Sequence, residues 1–405
     1  LAAQLDEFAA TIDLSIGHLG PEAMGRVEGA TPAEREQHAR ELAQRHSVDI
    51  VVYGDIGAGD RDQIIIQPAF YVSPRMFSEA LALTGAFRIG GAIEVRDLDT
   101  TQRRVEVNRE LSARTTAISQ VFAGLLYYVI GDYDSASLAF EAAEQSEWEE
   151  NEGREVVHIL LGNLHEHLAS VAAQNADLEL AKVELALAEA ECLAARDLAP
   201  GYSRTYAGMA SLAYLRWNLD VQETGASDLA LLEQALDYLD QADAAPDKPE
   251  DIGVTTATLF IRLQVYNAVR SFNAQDLTEA ERSQLNADFQ AVAAQIIDTY
   301  ETGKEEAVQR FASETHAMLG LAAFGDQDYT AAIESFEAAI ELSLLPRRQM
   351  FFHGWVGDCY AALNQPDAAR EAYRQAIDLA ESLDDVPQSR IDYYQDKIDA
   401  LRPNS

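Results

Sequence analysis

Lysine is almost missing from this chain of 405 residues: Lys182, Lys248, Lys304 and Lys397 are the complete set, and arginine supplies the rest of the 30 basic residues. Against them stand 68 acidic residues, a formal net charge of −38. That balance argues against non-specific binding to nucleic acid or to anionic membrane surfaces, both of which ask for basic patches. A basic partner is the natural one. Long apolar runs are lacking as well. No stretch of 18 apolar residues occurs, so the sequence predicts no membrane-spanning helix. Cysteine is down to Cys192 and Cys359, which have neither metal-ligand nor disulfide spacing and stand inside helical patterns, so both read as small buried residues. With 48% hydrophobic content, the chain has material for two or three domains with real cores.

What is present in abundance is self-similarity. In residues 350–383, Gly357 and Tyr360 lie three apart on a first helix, where the glycine admits a neighbouring helix. Ala369, Tyr373 and Ala376 share one face of a second helix. A turn at Asn364–Asp367, with Pro366 inside it, separates the two. The same five spacings return at 117–150 with Gly124, Tyr127, Ala136, Phe140 and Ala143. A third copy, 313–346, has Gly320, Ala332, Phe336 and Ala339, with Ala323 in place of the tyrosine. Looser copies fill the middle: helices at 153–173 and 177–196 around Gly162, at 202–218 and 226–243 around Gly208, and at 252–272 and 278–301 without a clear glycine. This pattern resembles the tetratricopeptide repeat (TPR). The expectation is a mainly α protein: a TPR-type α-solenoid of about six helical hairpins over 113–402. A last helix from Pro387, with Ile391, Tyr394, Ile398 and Leu401 on one face, closes the exposed end.

The first 112 residues are different in kind and predict a small α/β domain. Leu1, Leu5, Phe8 and Ile12 fall on one helical face with no cap before them, as if a segment preceded them: a signal peptide, an anchor or a first strand. Thr31, Pro32 and Glu34 form a helix start, and Ser47 ends that helix. VDIVVYGDI and QIIIQPAFYV then read as strands, GGAIEV as a short strand, and 97–108 as a polar connector. Residues 32–72 resemble the amino-terminal α/β domain of TolB-like proteins, which implies interaction and assembly rather than chemistry. The compartment is left open between the cytoplasm and an extracytoplasmic part of an anchored protein.

Catalytic readings are weak. GDIGAGDRDQ follows a strand, but no lysine with serine or threonine comes after it, and the next element is a strand. A hairpin turn fits better than a phosphate loop. His158, His165, Glu166 and His167 share a helix, yet His165 and His167 point in roughly opposite directions. His158 and His165 stand about 10 Å apart along the axis, too far for one metal. No metal, cofactor or nucleophile is expected, and the chain reads as non-enzymatic. What the TPR resemblance implies is a concave groove lined by the first helix of each hairpin. Carried onto the matching positions, it assigns Asn163, Glu166 and His167, then Tyr202, Tyr206 and Met209, then Trp355 and Asp358 to partner binding. In the first copy the same positions are Val121, Phe122, Leu125 and Tyr128, an apolar set suited to packing on the α/β domain. The function expected is a scaffold that takes a protein or peptide in that groove. The other reading is a sensor whose α/β domain binds a small ligand in a partly polar pocket near residues 73–95.

Overall fold

The computed structural model describes residues 17, 19–58, 64–74, 83–88, 90, 92–95, 116–146, 153–246, 248–249, 251–383 and 386–401. The expected helix at 1–14, the connector at 97–108 and the domain boundary at 112/113 lie outside the described residues. After a single helical turn at Pro21–Met24, α1 runs over Pro32–His46. Its start is a capping box: Thr31 Oγ1 accepts from the Glu34 amide at 3.2 Å, and Glu34 Oε2 accepts from the Thr31 amide at 3.1 Å. Ser47 ends it in a left-handed conformation, φ 53°.

Among the described residues four antiparallel strands follow, β1 (Ile50–Ala58), β2 (Ile64–Val72), β3 (Gly85–Arg88) and β4 (Ile93–Val95). β1 pairs β2 from Ile50↔Val72 to Ala58↔Ile64. The other side of β2 is shared, with β4 on Ile64–Ile66 and β3 on Ala69–Val72. Pro68, with no N–H to give, falls in the gap between those two ladders. Successive residues of β2 face opposite ways. Tyr71 packs with Val51 against Ala39 and Ala43 of α1, while Phe70 and Val72 join a cluster with the helices that follow.

Among the described residues those helices form six hairpins. They are α2 (described over 116–129) with α3 (Tyr133–Glu144), α4 (Arg154–Gln174) with α5 (Leu178–Leu198), and α6 (Ser203–Thr224) with α7 (Leu229–Ala244). Then come α8 (Ile252–Phe272) with α9 (Glu279–Gly303), α10 (Glu306–Gly325) with α11 (Tyr329–Leu342), and α12 (Pro346–Ala362) with α13 (Pro366–Glu381). A single helix, α14 (Gln388–Ala400), packs on α13. The protein is thus a mainly α solenoid with a small α/β domain. By contacts the chain divides within α8 into two compact units, Leu1–Thr258 and Leu259–Ser405.

The repeated residues do repeated work. A Cβ on Gly124 would stand 2.4 Å from the Phe140 ring, on Gly320 2.8 Å from Phe336, and on Gly357 2.5 Å from Tyr373. Each glycine therefore lets the aromatic ring of its own second helix lie directly on the first helix backbone. Ala136, Ala332 and Ala369 are fully buried beside these contacts. The second helices also start alike. Asp132, Asp177 and Asp328 accept from the amides of Ser135, Leu180 and Ala331, satisfying donors that a helix start leaves open. In the looser hairpins the seam is filled differently: Cys192 Sγ sits 3.3 Å from where a Cβ would stand on both Gly162 and Gly208. Burial pushes that thiol, and the Cys359 thiol, up to about 12, so both behave as small core residues.

Candidate functional site

Of the groove positions carried over from the repeat, Asn163, Glu166, His167, Tyr202, Tyr206, Trp355 and Asp358 are half-buried, and each already has a neighbour in its own unit. Asn163 Nδ2 donates to the Ile159 carbonyl one turn back at 2.8 Å. The His167 ring lies 5.6 Å from Tyr128 and 4.8 Å from Tyr133, a cluster of three rings between the first and second hairpins. Tyr202 packs on the same apolar core, and Tyr206 Oη donates to the Pro200 carbonyl at 2.5 Å. Met209 is buried with Leu212 and Leu215 against α4 and α5. Trp355 stacks on Phe336 at 6.1 Å and meets Phe324 edge-on at 5.1 Å. Asp358 Oδ1 accepts from Tyr373 Oη at 2.6 Å and from Lys397 Nζ at 2.9 Å. These two bonds tie Asp358 to α13 and α14.

The histidines weighed as metal ligands have another role. His158 Nδ1 lies 2.6 Å from Glu191 Oε2, and His165 Nδ1 lies 2.7 Å from Glu184 Oε2, two separate ties from α4 to α5. Among the described residues no group of three or more His, Cys, Asp and Glu side chains could hold a metal ion. All four lysines stand beside carboxylates: Lys182 with Glu179 and Glu223, Lys248 with Asp243, Lys304 with Glu301, and Lys397 with Asp358. No helix of the described residues is long and apolar enough to cross a membrane. A cavity lined by Phe70, Ile118, Val121, Val156, Val157 and Arg88 measures about 10 Å³, room for roughly one water.

Glu166 is the exception to cheap solvation. Its carboxyl sits in the seam between α4 and α6 and accepts a hydrogen bond from Ser211 Oγ. Burial raises its pKa from 4.5 to about 7, with the Ser211 hydrogen bond pulling the other way. A carboxyl raised in the fold stabilises the fold when protonated. Its contribution is complete below the unfolded value near 4.5 and is lost as pH rises through about 7. Glu166→Gln keeps the shape without the titration, so its melting temperature should match wild type near pH 5 and exceed it at pH 8. The scale is roughly 3 kcal/mol, at about 1.4 kcal/mol for each tenfold change in the protonation equilibrium. Equal melting temperatures at pH 8 would show that the carboxylate is well solvated.

Two residues at groove offsets are missed by sequence reasoning, Leu321 and Phe324 on α10. A signal for them exists, since they stand one and four residues after Gly320, as Asp358 and Ala361 stand after Gly357. Leu321 is 39% exposed, and the Phe324 ring touches both Trp355 and Tyr329.

Comparison with known families agrees with this geometry. The family described as tetratricopeptide repeat matches residues 313–344 and 352–383, the α10–α11 and α12–α13 hairpins. The chain therefore carries a TPR segment, a module of protein–protein interaction in general. No curated protein matches the chain.

Proposed function

We propose that the protein is a non-catalytic interaction scaffold whose helical array takes an extended or helical peptide, rich in basic residues and carrying an apolar anchor. The observation that carries this reading is the TPR segment itself: its first helices leave Leu321, Phe324 and Trp355 partly open to solvent in a chain of net charge −38. An aromatic and aliphatic floor supplies anchor contacts, and the surrounding excess of carboxylates favours cationic partners and speeds their encounter. The candidate contact residues are Asn163, Glu166, His167, Tyr202 and Tyr206 in the first unit and Trp355 and Asp358 in the second.

The test is a titration of the full chain with matched basic and acidic peptides at low and high salt. Basic peptides carrying a tryptophan or leucine should bind, and their affinity should fall between about 50 mM and 500 mM salt as charges are screened. Indifference to peptide charge would remove the basic partner from the reading.

A further inference from the structure

The inner face of the first hairpin is already taken. Ile118, Val121, Phe122, Leu125 and Tyr128 are at most 9% exposed and form one cluster with Phe70, Val72, Leu83 and Phe87 of the α/β domain. Phe122 meets Phe70 edge-on at 5.3 Å, and Phe70 stacks on Phe87 at 5.1 Å. Further along the same unit the α/β domain is held by buried charge. Arg204, the second residue of α6 and only 6% exposed, donates to the Thr84 carbonyl at 2.8 Å and lies 4.2 Å over the Phe87 ring. Asp251 is 2% exposed, accepts from the Gly253 and Val254 amides at the start of α8, and is ion-paired with Arg40 of α1.

Gly85 makes this seat possible. Its φ is +85°, and a Cβ there would stand 2.9 Å from Arg204 Nη2 and 3.1 Å from Glu36 Oε1. A large apolar seam is costly for a peptide to displace, because opening it returns the whole cluster of Phe70, Phe87, Val121 and Phe122 to water. In the second unit the matching positions are different. Leu321 is 39% exposed one turn before Phe324, and Phe324 and Trp355 touch at 5.1 Å while both stay half-buried. Asp326, just past the end of α10, has a side chain that is 74% exposed and stands 3.8 Å from the Arg270 guanidinium.

Resting on the interaction reading above, we infer that the α/β domain is the standing occupant of the inner face of the first hairpins, and that a basic peptide with an apolar anchor is captured by the Leu321–Phe324–Trp355 patch of the second unit. The capture surface thereby narrows to α10 and α12. The α/β domain acts as a fixed ligand of its own array.

The probe is a short fluorescein-labelled arginine-rich peptide with one central tryptophan, titrated into the full chain by fluorescence anisotropy. Leu321→Asp, at an exposed position that the fold tolerates, should weaken binding by about tenfold or more. Leu187→Asp makes the same chemical change at a position 44% exposed on α5 and should stay within about twofold of wild type. Amide hydrogen exchange gives a second readout: saturating peptide should slow exchange within 313–362 and leave 154–174 unchanged. Binding that survives Leu321→Asp, or protection appearing in 154–174, would overturn the assignment while leaving the scaffold reading standing. A wild-type chain that binds neither this peptide nor its acidic counterpart would overturn both.

Discussion

Gly357→Val should destabilise the second unit by roughly 3 kcal/mol or more, the upper range for forcing bulk into a packed core. A Cβ at this position would stand 2.5 Å and 2.6 Å from two carbons of the Tyr373 ring. The ring has nowhere to go: Tyr373 is 1% exposed, and its hydroxyl is held by Asp358. Even Gly357→Ala should lose stability, since the overlap exceeds the gain of about 1 kcal/mol that alanine brings to a helix interior. The same substitution at Gly124 and Gly320 should behave alike, because each meets the ring of Phe140 or Phe336 at less than 3.0 Å. At Gly162 and Gly208 the neighbour is Cys192 Sγ at 3.3 Å, so alanine there should be far milder. Thermal melts of the five alanine variants check the ranking. A Gly357→Ala protein as stable as wild type would mean that the ring does not rest on that backbone.

The second large effect is expected from removing α14. Its Tyr394 and Ile398 are 3% and 7% exposed, packed in a cluster with Met350, Tyr373, Ala376 and Ala380. At ~1.5–3 kcal/mol for each large side chain buried, these two alone contribute roughly 4 kcal/mol. Truncation at Pro387 also strips Lys397 from Asp358 and uncovers the Gly354 backbone, on which the Tyr394 ring lies. The truncated protein should melt lower and aggregate more readily, because a repeat stack left open at one end exposes the face that a further repeat would cover. Equal melting temperatures for the two proteins would show that α14 does not cap the stack.

Much of the fold was legible because it repeats. Gly124, Gly320 and Gly357 stand at fixed distances from Phe140, Phe336 and Tyr373, and a contact made by neighbours in sequence leaves its period in the sequence. The start of α1 was legible for the same reason, since a capping box spans four residues. β3 was not: it is four residues, two of them the small Gly85 and Ala86, and it gains its identity only from β2 and from Glu36, whose Oε1 accepts the Ala86 amide. For the candidate site, the helix faces could be read but not their occupants. Asp358 is at a groove offset, yet its partner Lys397 comes from the helix beyond, and Arg204 gives no hint in sequence of a carbonyl at Thr84.

Arg40 and Asp251 are 211 residues apart, and Arg204 and Thr84 are 120 apart. On the ribosome this spacing becomes a waiting time. At ~5–20 residues per second, the start of α8 follows α1 out of the exit tunnel by roughly 10–40 s. Hairpins such as α4 with α5 close on local contacts as they emerge, and α2 covers Phe70, Val72 and Phe87 early, while the charged ties to Arg204 and Asp251 must wait for α6 and α8. The α/β domain is therefore made well before the buried charges that lock it to the array, and its seat stays open to parting until α8 begins.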